Sequence, residues 1–202
     1  MDKGTVPELT QNEIAQMLLK LMARCYASGK DAIKDIDLLA KLQIPVGFKA
    51  YTAKEGKWYC VDAYAVGEEG NSWGFVILYY GSTPIFFMNF GGYVALRICK
   101  EFGIDPKQVT TFLRKALLDQ YSRWEEGKNA FLGCRGPNRF IDQELVVSNN
   151  RRLIYHNSPY RDGVIHAISG SDTINLFDPT GVEREECLYR HDYLGGLLIE
   201  AR

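Results

Sequence analysis

The chain has 202 residues, 46% of them hydrophobic and 24% charged, with a formal net charge of -1 at pH 7. That balance fits a globular domain with a sizeable core and argues against bulk electrostatic attraction to nucleic acid or an anionic membrane. No apolar run reaches the roughly 18 residues that span a bilayer and no basic-then-apolar leader opens the sequence; the five cysteines, Cys25, Cys60, Cys99, Cys134 and Cys187, are odd in number and scattered, which points to reduced thiols and a cytoplasmic location.

Thr10-Gln11-Asn12-Glu13 has the form of a capping box. The apolar residues after it, Ile14, Met17, Leu18, Leu21 and Met22, recur at helical spacing up to the stop at Ser28-Gly29. A weaker stripe, Ile33, Ile36, Leu39 and Leu42, predicts a short second helix ended by Pro45. From Phe48 the period changes to that of strands: FKAYTA, a polar turn at 54–57, then WYCVDAYAV. The stretch WGFVILYYGSTPIFFMNFGG, Trp73 to Gly92, is the strongest structural signal, two aromatic runs around a Gly-Ser-Thr-Pro break. It predicts a hairpin at the heart of an antiparallel meander.

After Gly91-Gly92 a short helix is expected within Tyr93 to Phe102, closed by Gly103. Asp105-Pro106 then starts a long one with the stripe Val109, Phe112, Leu113, Ala116, Leu117 and Tyr121, ending near Gly127. Five further strand-like segments follow: FIDQELVVS, RRLIYHN, DGVIHAI, DTINLF and EECLYRHDYLGGLLI. They alternate polar and apolar residues, so one face of that part is expected to meet water.

The fold class expected is therefore α+β, in a single domain over 1–202. Helix, strands and a closing Gly-Gly occur twice, with Gly91 and Gly195 offset by 104 residues. This suggests two helix-plus-antiparallel-sheet units, 8–92 and 105–200, related by a pseudo-twofold duplication with helices packed on the sheets. An α+β chain of this size can also show that order without duplication.

The ordered set GKWYCVDAY, ILYYGSTPIFFMNFGG, CRGPNRF and HDYLGG resembles a bacterial domain of unknown function, family 5680. The likeness rests on Cys25-Tyr26-Ala27 after the first helix, on Tyr59, Asp62 and Tyr64, and on Gly81, Pro84, Met88, Asn89, Phe90 and Gly91. Arg135, Gly136 and Pro137 complete it. The turn here has an extra residue between Gly81 and Pro84, and Phe90 stands where the family has tyrosine. The resemblance implies an organisation and, because some relatives carry a helix-turn-helix, a sensing role; it implies no chemistry.

Candidate ligand-binding residues are Trp58, Asp62, Tyr64, Phe86, Asn89 and Arg135. A carboxyl on the inner face of an aromatic strand would have a raised pKa and could anchor a ligand or act as a base, although Asp62 could equally face solvent. Arg135, before Gly136-Pro137, could grip a carboxylate or phosphate through its planar fork, or bond loop carbonyls. Trp58, Tyr64 and Phe86 would line a dry pocket, with Asn89 the polar residue in an apolar run.

Cys187 and His191, four apart on a strand, would share a face, but no second pair completes a zinc set, so no metal and no cofactor is expected. The primary functional expectation is a small-molecule-binding or sensor-like domain. Its partners would be a small, partly apolar ligand and a second copy in a homodimer, without direct nucleic-acid or membrane binding. The alternatives are an enzyme, a hydrolase or transferase using Asp62 with His156 or Cys60, and a protein-interaction or inhibitor module.

Overall fold

In the computed structural model, which describes residues 7–123, 135–147, 151–160, 165–177 and 186–201, the capping box starts helix α1 (Gln11–Met22) as expected. Thr10 Oγ1 accepts the Glu13 backbone N–H at 3.2 Å, and the Glu13 carboxylate accepts the Thr10 N–H at 2.8 Å. A 3-10 turn, Tyr26–Ser28, follows and ends on Gly29, whose φ of 73° is the left-handed conformation that glycine adopts without steric cost. Helix α2 is short (Ile36–Lys41), with the Asp35 carboxylate accepting the Leu38 N–H at 3.0 Å. Helices α3 (Leu96–Glu101) and α4 (Pro106–Arg123) come later. The Asp105 carboxylate accepts the Lys107 N–H at 2.9 Å, completing the expected start of α4. Gly127 and Cys134 lie outside the described residues.

The strands are β1 (Lys49–Glu55), β2 (Trp58–Val66), β3 (Asn71–Tyr80), β4 (Thr83–Val94), β5 (Arg139–Val146), β6 (Arg152–Pro159), β7 (Ile168–Phe177) and β8 (Glu186–Leu197). They form one eight-stranded antiparallel sheet in the order β1-β2-β3-β4-β8-β7-β6-β5. The central hairpin is β3–β4, turning at Gly81-Ser82, and Pro84 enters β4 beside a bulge where its missing N–H is tolerated. The long pairing of β4 with β8 joins the two four-stranded halves. Gly91-Gly92 and Gly195-Gly196 therefore lie inside strands, not at their ends. The expected separate strand DGVIHAI is not formed in its described part, where 165–167 make a turn into β7.

Period-two alternation divides the sheet into two faces. One face carries Tyr51, Cys60, Asp62, Val76, Leu78, Phe86, Met88, Tyr189, His191 and Tyr193, and is covered by α1, the 3-10 turn and α4. The other face, over β1 to β3, packs Ala50, Val61 and Ala63 under Ile33, Leu39, Leu42 and Phe48 from the segment around α2. The middle of the apolar runs of β2 and β3 thus has cover on both sides, while Val66 at the end of β2 and Trp73 at the start of β3 stay exposed.

An offset of 104 residues is not a structural register between β4 and β8. Gly195 sits opposite Met88 on the helix-covered face, whereas Gly91 sits beside Trp73 on the other. A shift of one residue exchanges the faces of a strand, so only an odd offset superposes the inward residues of β4 on those of β8, whereas β3 and β7, both inward at even numbers, need an even one.

Candidate functional site

The helix-covered face does not pack solidly against α4. A cavity of about 490 Å³ lies between the sheet, the 3-10 turn and α4, within the range of small-molecule sites. Its floor is the inward phase of successive strands: Asp62 and Tyr64 from β2, Ser72 and Val76 from β3, Met88 and Phe90 from β4, Tyr189 and His191 from β8. Its roof is one face of α4, where Thr110, Arg114, Leu117 and Tyr121 follow at helical spacing, with Tyr26 at the end. Small residues on the floor make the room. Gly74 lies under the Phe90 ring, and Gly92 lies between Ser72 and His191 in their cross-strand row.

Of the residues expected from the sequence, Asp62, Tyr64 and Arg135 line this cavity. The other three do not. Trp58 stacks edge-on against Tyr80, ring centroids 5.0 Å apart. Phe86 is fully buried in the core between Leu78 and Leu197. Asn89 pairs with Phe75 and Leu194 on the opposite face of the sheet and is exposed.

Asp62 is 3% exposed and accepts the Tyr26 backbone N–H. Loss of water pushes its pKa up to about 7, against the pull of that hydrogen bond and of the Arg135 charge. Tyr26 itself is edge-on to both Tyr51 and Tyr64, at 5.8 and 5.4 Å, and the Arg114 guanidinium lies over its ring at 4.5 Å.

Arg135 is held by a buried polar cluster. Its Nη2 donates to Asp172 Oδ2 at 2.5 Å and to the Tyr189 hydroxyl at 2.6 Å, and Tyr155 donates to the same carboxylate oxygen at 3.2 Å. Asn157 and Tyr193 extend the network through the Gly136 carbonyl and each other, at 3.0 and 2.8 Å. Burial would lower the Arg135 pKa, but the Asp172 carboxylate together with the Tyr189 and Tyr155 oxygens outweighs it and keeps the guanidinium charged. Arg135 also lies over the Phe90 ring at 5.5 Å.

His191 is 6% exposed and its Nε2 is 2.6 Å from Ser72 Oγ. It stacks between Tyr189 at 4.5 Å and Phe90 at 5.6 Å. Burial, reinforced by the Arg135 charge, drives its pKa well below the usual histidine value, so the ring is neutral at pH 7. Among the described residues, His191 Nδ1, Arg114 Nε, Arg135 Nε and Asp172 Oδ1 are buried without a hydrogen-bond partner. A buried polar atom of this kind calls for a water, an ion or a ligand group to complete its hydrogen bonding.

The Cys187–His191 juxtaposition expected from spacing does not occur, nor does an Asp62–His156 pair. A bulge in β8 makes Ile174 oppose Tyr189 while Asn175 opposes Cys187, so the extra residue Leu188 turns Cys187 away from the face that carries His191. His156 opposes Thr173 and Arg139 on the face away from Asp62, and His166 is exposed in a turn. Cys60 shares the face of Asp62 but is sealed in the core against Met22 Sδ, 3.6 Å away. Asp62 and His156 therefore lie on opposite faces of the sheet, and Asp62 with Cys60 has only a thiol sealed in the core. Among the described residues, no group of three or more His, Cys, Asp or Glu is arranged to hold a metal ion.

Ser72, Arg114, Asp172, Tyr189 and His191 lie outside the set expected from the sequence. Two of them carry a legible signal: Asp172 and His191 each occupy the apolar phase of an alternating strand, whereas Ser72 lies in a strand that is apolar on both faces. Arg114 flanks the apolar stripe of its helix and has no such mark. Family models, curated proteins and solved structures offer no match to this chain.

Proposed function

We propose that the chain is a small-molecule-binding, sensor-like domain whose ligand occupies the cavity under α4. The observation that carries this reading is the cavity itself, mostly apolar in lining, with Asp62, Arg114, Arg135 and His191 converging on it and several of their polar atoms unpartnered. A solid core would have filled that volume with side chains. No helix among the described residues is long and apolar enough to cross a membrane. The proposal extends to a bacterial, cytoplasmic protein of family 5680, and to halves descended from one unit; in support, an offset of 103 matches Phe90 to Tyr193 and Gly92 to Gly195 on the same face. It also includes a homodimer, for which the exposed Trp73, Tyr93 and Leu194 on the uncovered face are the natural contact.

A metabolite library screened by thermal shift and ligand-observed NMR tests the binding reading. At least one compound should raise Tm by about 2 °C or more at saturating concentration, and Val76→Phe, which fills the cavity floor, should abolish the shift. A library without hits, or hits indifferent to Val76→Phe, would contradict it.

The short Ser72–His191 hydrogen bond favours a second reading, a hydrolase with Ser72 as nucleophile and neutral His191 as base. Against it, no carboxylate among the described residues orients His191 Nδ1. Hydrolysis of p-nitrophenyl esters lost in Ser72→Ala would support this reading; equal rates in both proteins would remove it.

A further inference from the structure

The electrostatics of the cavity name the class of ligand, given that the cavity is a binding site. Among the described residues its lining contains four cationic side chains, Lys49, Lys107, Arg114 and Arg135, and one carboxyl, Asp62. Arg135 is neutralised by Asp172 within hydrogen-bond distance. Arg114 is not: among the described residues no carboxylate lies within ion-pair distance of it, its charge rests on the Tyr26 ring, and its Nε is buried without a partner. A half-buried, uncompensated guanidinium is unfavourable by itself and becomes favourable once an anion supplies the missing charge and hydrogen bonds. Lys49 and Lys107 are exposed lining residues, so they add positive potential that draws an anion inward.

We infer that the cavity takes a monoanionic organic acid, a carboxylate on an aromatic or alicyclic body, with its head group on Arg114 and its body against Val76, Met88, Phe90 and Leu117. The single charge follows from the count inside. One guanidinium lacks a counter-ion, so a carboxylate closes the balance, while a phosphate dianion would bring a second charge into an apolar space without a partner. The body follows from the floor, where Phe90 offers a ring face beside aliphatic side chains. The unpartnered His191 Nδ1 offers one further hydrogen bond to a polar substituent on that body.

Isothermal titration with matched pairs tests this: 4-phenylbutyrate and 1-naphthoate, their primary amides, and phenyl phosphate, against the parent, Arg114→Gln and Arg114→Lys. The acids should bind about tenfold or more tighter than the amides, as one charge-assisted pair implies. Arg114→Gln should remove that preference by weakening the acids far more than the amides, and Arg114→Lys should restore part of it. Acids and amides binding alike, or a preference that survives Arg114→Gln, would overturn the inference and leave the binding cavity standing. Phenyl phosphate binding tighter than the carboxylates would overturn the monoanion class. If neither acids nor amides bind, the organic-acid inference fails, and the library screen decides the binding-site reading separately. Should Arg114→Gln not fold, the parent's matched pairs and Arg114→Lys decide alone.

Discussion

At the scale of single residues, Asp62 has the clearest measurable consequence. Its carboxyl is buried, accepts the Tyr26 backbone N–H, and titrates at about 7 in the folded protein against an ordinary value of 3.8. Below about pH 4 both folded and unfolded chains keep the proton, and no penalty arises. Between about pH 4 and pH 7 the unfolded chain releases it while the folded chain holds it, so stability falls as pH rises through that window. Above pH 7 the accumulated loss levels off at about 4 kcal/mol, because each tenfold difference in proton affinity between the two states is worth roughly 1.36 kcal/mol. Asp62→Asn keeps the acceptor for the Tyr26 N–H and removes the ionisation. Urea unfolding should find it close to the parent at pH 4 and more stable by a few kcal/mol at pH 8; a variant no more stable at pH 8 would show that Asp62 is ionised or solvated in the fold. The residues that carry chemistry here are only partly legible in the sequence. Asp62, Tyr64 and Arg135 stand out by type and place, whereas Arg114 is one arginine among many until the helix that carries it is laid over Tyr26.

At the scale of elements, glycines inside β3, β4 and β7 do what a turn glycine does not. At Gly92 a Cβ would fall 1.8 Å from the Arg190 carbonyl oxygen and 2.4 Å from His191 Cδ2, in the row where Ser72 reaches His191. Gly92→Ala must push β8 off β4 or rotate His191, and overpacking of this kind costs about 2 kcal/mol or more. Gly81, with φ 61° and open space around it, faces only the left-handed backbone penalty, about 1 kcal/mol for alanine. Chemical denaturation of both variants should rank Gly92→Ala as the more damaging. Only Gly92→Ala should also alter the His191 ring resonances in NMR; the reverse ranking would contradict the close packing of β4 on β8. The bulge at Leu188 belongs to the same scale. Spacing alone puts Cys187 and His191 on one face, and a single inserted residue separates them, since each side chain's face depends on every residue between it and the bulge.

For the whole molecule, the order β1-β2-β3-β4-β8-β7-β6-β5 puts two strands distant in sequence at the centre and leaves β1 and β5 at the edges. Those edges carry charge, with Lys49, Lys54 and Glu55 on one and Arg139, Asp142 and Glu144 on the other, which discourages pairing with another sheet. Opening the β4–β8 pair breaks the molecule into halves, while an edge strand can detach locally. Native-state hydrogen exchange should therefore find the slowest amides in β4 and β8, exchanging only on global unfolding, and faster exchange in β1 and β5. Slower exchange at the edges than at the β4–β8 pair would mean that the halves are separate cooperative units.

The features that follow from the amino-acid order alone are local: the capping box at Thr10, the stop at Gly29, the start at Asp105 and the β1–β4 meander. Each depends on neighbours within about four residues, where backbone geometry and side-chain spacing act directly. Which strands meet, and what they bring with them, is settled only in three dimensions. Pairing β4 with β8 makes one sheet rather than two facing ones, carries His191 to Ser72 and Tyr189 to Arg135, and sends Asn89 and His156 to the far side. Those meetings join residues tens of positions apart, so no spacing rule reaches them. They arise because the buried faces of both halves must be covered at once, and one continuous sheet under α1 and α4 satisfies that together with the backbone hydrogen bonds of every central strand.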